Sequence, residues 1–308
     1  MAFIRRFSDV EKLKAEPLFR NCLLPDIVQT FKERKKKGQD VFPAGRKERV
    51  DFYHKGGKLF SYDIRNGFTT HNKYASVIKA DYPNQYVTGI NLQAISSFIE
   101  GYERIKENCS LYSGVEAQGV SQVYGRFSCA KHTREHRVVV LDIEISLRRS
   151  DDEIDLEPQE TARAHSDRID LVLLDTESGL IRFFEAKDFS NGEIRAAPGN
   201  VPKIVRQMER YQKQLNASHI HEEMISNYKV HIEVINQLFE PEMPLPAPQS
   251  IDTTPRLLLF GFDQAQLTGK LQGEARRLEE DYGLSVYTKG DIKTVNPNTL
   301  FSGGRQRW

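Results

Sequence analysis

The sequence predicts an α/β fold, with a mixed central sheet flanked by helices and a small α+β module before it. From Ile90 onward, strand-like and helix-like segments follow in the order helix, three strands, two helices, strand, helix, strand. The strand segments are nearly continuous apolar runs, which is typical of strands covered on both faces. A chain of 308 residues can hold one large domain or two ordinary ones.

The first part of the chain, residues 1–88, is predicted to be the α+β module. Pro25 to Lys37 indicates a helix that ends in the basic run Arg34–Lys37. Apolar and aromatic residues on both sides of Lys55–Lys58 then predict a β-hairpin. We expect the aromatic residues of 52–62 to form a small core rather than a platform for stacking bases.

The second domain is predicted to span residues 89–308. Its elements follow from apolar periodicity and from the proline that begins one helix. They are a helix at 90–108, strands at 137–147, 168–175 and 180–188, helices at 202–217 and 220–239, a strand at 256–262, a helix at 264–282 and a last strand at 283–289.

Composition favours a soluble cytoplasmic protein. Apolar residues make up 39% of the chain and charged residues 28%, and no run is long and apolar enough for a membrane span. The N-terminus lacks the features of a secretory signal. The three cysteines, Cys22, Cys109 and Cys129, are too far apart in sequence to indicate a disulfide framework or a structural zinc site.

Charge is unevenly distributed along the chain. Residues 1–90 hold 18 Lys and Arg against 10 Asp and Glu, whereas the remainder holds 26 against 33. A basic first part is compatible with phosphate binding or with an internal docking surface.

Two acids and a lysine are predicted to meet on the hairpin formed by 168–175 and 180–188. If its loop spans two or four residues, paired positions sum to 355, which sets Asp170 opposite Glu185. Lys187 then lies on the same face as Glu185. Two adjacent buried carboxylates repel each other, and a divalent cation with oxygen ligands would resolve that repulsion. The cation would activate water, and Lys187 would orient or deprotonate it. A structural salt bridge is the alternative interpretation.

These residues resemble the PD-(D/E)xK nuclease superfamily. The resemblance rests on Ile169-Asp170 and Glu185-Ala186-Lys187, and extends to a Q-x-x-x-Y motif of the RecB-like branch at Gln207 and Tyr211. It covers roughly residues 90–262 and implies a restriction-endonuclease-like fold. It further implies that Asp170, Glu185 and the carbonyl of Ala186 bind Mg²⁺ or Mn²⁺.

By the same resemblance, Gln207 and Tyr211 would face the site and position the DNA or the catalytic lysine. Their spacing of four residues puts them on one flank of the helix at 202–217. Lys203 and Arg210 lie farther round, where they could meet phosphates.

An upstream acid is also expected by the resemblance, on the first helix. Glu103 is the preferred candidate, and Glu144 in the preceding strand is the competitor. The alternative interpretation is that the strand face formed by Asp142, Glu144 and Ser146 is solvated. The histidine that RecB-like nucleases carry has three candidates, His132, His136 and His165.

The function expected from these residues is hydrolysis of DNA phosphodiester bonds, in defence against foreign DNA or in repair. The N-terminal module would recognise the substrate or a protein partner. A homo-oligomer would suit cleavage of two strands. The alternatives are a non-catalytic subunit of the same fold that binds nucleic acid or a partner, and a nuclease directed at RNA.

Overall fold

The computed structural model describes residues 3–28, 41–77, 93–94, 97–147 and 168–302. In these ranges the protein is a mixed α/β structure in which helices flank a mixed sheet, as the sequence predicts. The expected domain boundary at 88, the basic run Arg34–Lys37 and His165 lie outside the described residues.

The strands of the central sheet are β7 Val138–Ser146, β8 Arg168–Asp175, β9 Leu180–Asp188, β10 Ser250–Ile251, β11 Arg256–Phe260 and β12 Ser285–Lys289. Their order is β12-β11-β9-β8-β7. Strands β7, β8 and β9 are antiparallel neighbours, whereas β9, β11 and β12 run parallel. The short β10 pairs with the beginning of β9.

The helices differ from the predicted ones mainly before the sheet. The helix expected at 90–108 begins only at Tyr102, and a second helix, Val115–Phe127, occupies sequence that carried no predicted element. That second helix packs across β7, β8 and β9. The longer helices are Tyr102–Leu111, Val115–Phe127, Lys203–Leu215, Ser218–Phe239 and Gln272–Glu280, the last preceded by a helical segment at 264–271; the shorter ones are Val10–Ala15, Leu24–Val28, Asn72–Ala75 and Pro297–Ser302.

A second, antiparallel sheet precedes the central one. Its order is β1-β2-β3-β4, with bounds Val41–Arg46, Arg49–His54, Gly57–Asp63 and Gly67–Thr69. The two-residue strands β5, Ser76–Val77, and β6, Gln93–Ala94, pair with each other. The predicted hairpin is confirmed as β2 and β3. Lys55 and Gly56 both have positive φ, 46° and 86°, which matches the twist of a two-residue hairpin turn. The aromatic side chains of this hairpin are buried, so they form core as expected.

The two sheets share one hydrophobic core and one buried ionic contact. Asp142 of β7 is fully buried and receives hydrogen bonds from Arg5 Nε at 2.7 Å and from Arg46 Nη1 at 2.8 Å. The strand face expected to be solvated is therefore covered at Asp142, because two arginines of the N-terminal part reach it.

No helix of the described ranges is both long and apolar enough to cross a membrane.

Candidate active site

Strands β8 and β9 have the predicted register. Every observed pair between them, from Leu171 with Phe184 to Leu174 with Ile181, sums to 355. One step farther along the hairpin, the backbone N–H of Ala186 donates to Oδ2 of Asp170 at 2.8 Å. Asp170 therefore lies beside the Glu185–Ala186 peptide, and the two acids are neighbours on adjacent strands.

The carboxylate of Glu185 is 2% exposed and is held by the helix Lys203–Leu215. Nε2 of Gln207 donates to Oε1 of Glu185 at 3.0 Å and lies 2.7 Å from the hydroxyl of Tyr211. That hydroxyl lies 2.6 Å from the carbonyl oxygen of Arg168 and 3.2 Å from Oε2 of Glu185, so it bridges them. The two residues of the Q-x-x-x-Y spacing thus both contact Glu185.

The ammonium group of Lys187 lies among three carboxylates. Its Nζ is 3.0 Å from Oε1 of Glu185, 3.3 Å from Oε2 of Glu193 and 3.8 Å from Oε2 of Glu116. Burial disfavours the charge of this lysine, yet Glu185 and Glu116 raise its pKa above the ordinary value. Lys187 is therefore a cation in the structure as it stands.

Glu116 is a residue of this site that the sequence reasoning missed. It stands in the first turn of the helix Val115–Phe127, where the positive end of the helix dipole favours a carboxylate. Its Oε1 accepts from the backbone N–H of Asp188 at 3.1 Å and from Nδ2 of Asn191 at 2.6 Å. These bonds fix the start of the helix against the end of β9.

A small chamber of about 130 Å³ lies between this helix and the sheet. Three carboxylates line it, those of Glu116, Glu144 and Asp170, and among the described residues its lining includes no lysine or arginine. Glu144 lies across from Asp170, since its neighbours Ile143 and Ile145 pair with Leu171 and Ile169. Its φ of 48° is unusual for a residue with a side chain, and such backbone conformations tend to occur at functional sites.

Burial and neighbouring charges raise the pKa values of Asp170 and Glu185. Burial raises the pKa of Asp170 to about 7, and the charges of Glu144 and Glu116 add to that rise, although the Ala186 N–H and Lys187 oppose it. Burial, followed by the charge of Asp170, raises the pKa of Glu185 well above its ordinary range. Burial and mutual repulsion favour the protonated form of such carboxylates, and a bound cation would favour the ionised form.

The donor set suits a hard divalent cation. Such an ion prefers oxygen ligands, and its charge would allow the neighbouring carboxylates to ionise together. As their side chains stand, however, no group of three or more His, Cys, Asp and Glu residues in the described ranges is arranged to hold a metal ion. The carboxylates of the chamber are suitable ligands for a cation, but the described side chains do not form a preformed coordination site.

The structure does not bring Glu103 to this site. Its carboxylate is largely exposed and lies 3.7 Å from Nζ of Lys106, which in turn binds Asp26 of the helix Leu24–Val28. The helix of Glu103 packs against β2 and β3 rather than against the central sheet, because the helix Val115–Phe127 occupies that position. The competitor Glu144 lines the chamber, but Arg168 pairs with it at 3.0 Å.

The surroundings of the other expected residues are as follows. Nδ1 of His132 is 2.8 Å from the carbonyl of Met243, and the ring of His136 packs against Phe127. Lys203 is exposed and Arg210 is half-buried on the helix that carries Gln207.

Comparison of the chain with protein-family models, with curated proteins and with solved structures found no match. The geometry of the side chains described above is therefore the basis for any statement about function.

Proposed function

We propose that this chain is a metal-dependent nuclease that hydrolyses phosphodiester bonds of DNA. The observation that carries the proposal is the convergence of Asp170, Glu185 and Lys187 on adjacent strands, with Gln207 and Tyr211 both bonded to Glu185. This is the arrangement by which the sequence resembles PD-(D/E)xK nucleases.

Asp170 and Glu185, with the carbonyl of Ala186, would hold Mg²⁺ or Mn²⁺. When bound, the ion would polarise a phosphoryl oxygen and lower the pKa of a water molecule. Gln207 orients the Glu185 carboxylate by donating to it, and the Tyr211 hydroxyl lies 3.2 Å from the other oxygen of that carboxylate. Glu116 fixes the end of β9 through Asp188 and keeps its negative charge facing the chamber.

Lys187 acts electrostatically in this proposal. Glu185 and Glu116 raise its pKa, which favours the ammonium form over the free amine. It therefore orients the attacking water and stabilises the negative charge that develops on the phosphoryl group.

The test is incubation of the protein with linear, circular and single-stranded DNA, and with RNA, in Mg²⁺, in Mn²⁺ and in EDTA. We expect metal-dependent cleavage that falls about a hundredfold or more in Asp170→Ala and in Lys187→Ala. Glu103→Ala is the matched control, since it removes an acid of the preceding helix that lies outside the site, and it should cleave as the wild type does. Cleavage in EDTA, or by Asp170→Ala, contradicts the mechanism. Cleavage confined to RNA would redirect the activity to RNA.

A second candidate function is a non-catalytic subunit that binds nucleic acid. It is favoured by the contacts of Lys187, whose ammonium group already neutralises Glu185 and Glu193. It predicts binding without cleavage under every metal condition of the same experiment.

A further inference from the structure

A basic cleft lies beside the chamber, between the N-terminal sheet and the central sheet. Its volume is about 510 Å³. Six cationic side chains line it against two carboxylates, those of Asp51 and Glu144. The cations are Arg5, Arg46, Arg49, Lys58, Lys73 and Arg168.

Internal partners neutralise some of these charges but leave others available. Arg5 and Arg46 bind the buried Asp142, and Arg49 binds Asp51. Lys58 is exposed on β3. Nζ of Lys73 lies 5.0 Å and 5.1 Å from the ring centroids of Tyr74 and Tyr112, so it makes cation–π contacts with both rings. An anion entering the cleft would therefore meet Lys58 and Lys73 directly.

A helix end adds to the same positive field. Gly114 lines the cleft and precedes the helix Val115–Phe127, whose first N–H groups point away from the helix body. A glycine has no side chain that could accept hydrogen bonds from them. Such N–H groups favour a phosphate, which here would lie beside the lysines.

The cleft adjoins the carboxylate chamber. Tyr53, Gly56 and Glu144 line both spaces, so the two lie side by side at these residues. Gly56 N–H donates to the hydroxyl of Tyr124 at 2.8 Å, and a Cβ on Gly56 would lie 2.5 Å from backbone and side-chain atoms of Ala117. The hairpin turn therefore packs on the helix where the two spaces adjoin. A chamber of about 130 Å³ is large enough for part of one strand but too small for a base-paired stack.

From these observations we propose that the cleft binds the phosphate backbone of a single nucleic-acid strand and leads it to the chamber that holds Asp170. Lys58 and Lys73 contact successive phosphates, and the half-exposed ring of Tyr112 stacks against a base at the rim. The inference rests on the proposed function, since it assigns the substrate of that same site to single strands.

Binding in EDTA tests the cleft without any cleavage. The probe is a labelled 20-nucleotide single strand of DNA. The same sequence is tested in parallel as RNA and as a blunt-ended DNA duplex. Binding is measured by fluorescence anisotropy over a range of salt concentrations. We expect Lys58→Ala/Lys73→Ala to bind single strands about tenfold more weakly and to reduce the salt slope by about 1.4. The control Lys229→Ala/Lys270→Ala removes two exposed lysines that lie outside the cleft, and it should bind as the wild type does.

The outcomes distinguish binding by the cleft from hydrolysis at the site. Strand binding by the cleft is contradicted if the Lys58→Ala/Lys73→Ala variant keeps the wild-type affinity and salt slope, or if the duplex binds more tightly than its strands. If binding depends on the two lysines but no cleavage occurs in Mg²⁺ or Mn²⁺, the proposed hydrolysis is contradicted and the proposed strand binding is supported. Melting curves of both double variants should match the wild type, because all four lysines lie at the surface or in the cleft. A preference between the DNA and RNA strands identifies which of the two the cleft takes.

Discussion

The backbone N–H of Ala186 donates to the carboxylate of Asp170 at 2.8 Å, although burial disfavours the charge of that carboxylate. One hydrogen bond from the neighbouring strand partly offsets the cost of burying it. The remaining cost links the protonation of Asp170 to the stability of the fold.

We expect Asp170→Asn to stabilise the metal-free protein at pH 8. The pKa of Asp170 rises from an ordinary 3.8 to about 7 on folding, so between these values the folded state holds a proton that the unfolded state has lost. The free energy of unfolding therefore falls as pH rises through this window, and the loss is complete above about 7. The amide keeps an oxygen for the Ala186 N–H. Urea unfolding in EDTA should give the variant an advantage of roughly 1–3 kcal/mol at pH 8 and a smaller one at pH 5.

The same pair of proteins tests the cation. Millimolar Mn²⁺ should raise the melting temperature of the wild type at pH 8, because it binds only the folded state, and should leave Asp170→Asn almost unchanged. An equal response of both proteins would place the ion elsewhere.

Tyr211→Phe should weaken both stability and cleavage. It removes the hydroxyl that bridges the carbonyl of Arg168 and Oε2 of Glu185, in a fully buried position. We expect a loss of about 1–2 kcal/mol in the free energy of unfolding, and a fall in kcat larger than the change in KM. Tyr282→Phe, which alters a hydroxyl near Arg277, is the control and should leave cleavage intact. A Tyr211→Phe variant with wild-type kcat would make Tyr211 a purely structural residue.

Gly119→Ala should destabilise the protein although it places alanine in a helix. A Cβ at this position would lie 2.5 Å from the ring of Phe260, because the helix Val115–Phe127 packs closely on the sheet. We expect a loss of roughly 1–3 kcal/mol, measured by urea unfolding. In Gly273→Ala, the control, the added Cβ meets no atom within 4 Å, so the free energy of unfolding should rise by about 0.5–1 kcal/mol. A stabilising Gly119→Ala would contradict the close packing.

Arg46→Met should destabilise the contact between the two sheets. It leaves the buried Asp142 with Arg5 as its remaining arginine, and loss of one partner of a buried pair costs about 3–5 kcal/mol. Adding Asp142→Leu removes the carboxylate that has lost Arg46, although it also leaves Arg5 without this partner. The double variant should therefore lose less free energy of unfolding than the sum of the two single losses. Additive losses in the unfolding free energies would mean that the contact contributes little.

Much of the central sheet could be predicted from apolar runs. Strands β8 and β9 have the predicted bounds, and the four-residue connection fixed the register that brings Asp170 to Glu185. Those features depend on local periodicity and turn length, which sequence shows directly. Gln207 and Tyr211 could be paired because a spacing of four places side chains on one helix face.

Glu116 was not predicted as a site residue because its helix, Val115–Phe127, was not predicted. Val120, Val123, Tyr124 and Phe127 have helical spacing, but Gly119 and Gly125 among them suggest a loop. The glycine at 119 is present because the helix approaches Phe260, which is a tertiary fact that no local pattern contains. Without that helix Glu116 had no place near β9, and Glu103 was preferred. The burial of Asp142 was not predicted for a similar reason, since its partners Arg5 and Arg46 are distant in sequence.

The hairpin turn at Lys55 and Gly56 has a consequence for any attempt to re-engineer this protein. The turn rests on Ala117, the residue next to Glu116, so the tip of the N-terminal sheet touches the same helical turn that supplies an acid to the chamber. Lengthening the loop by even one residue would shift that turn and the acid with it. A graft of a foreign N-terminal sheet, made to redirect the protein to new targets, would have to keep these two residues and their left-handed backbone.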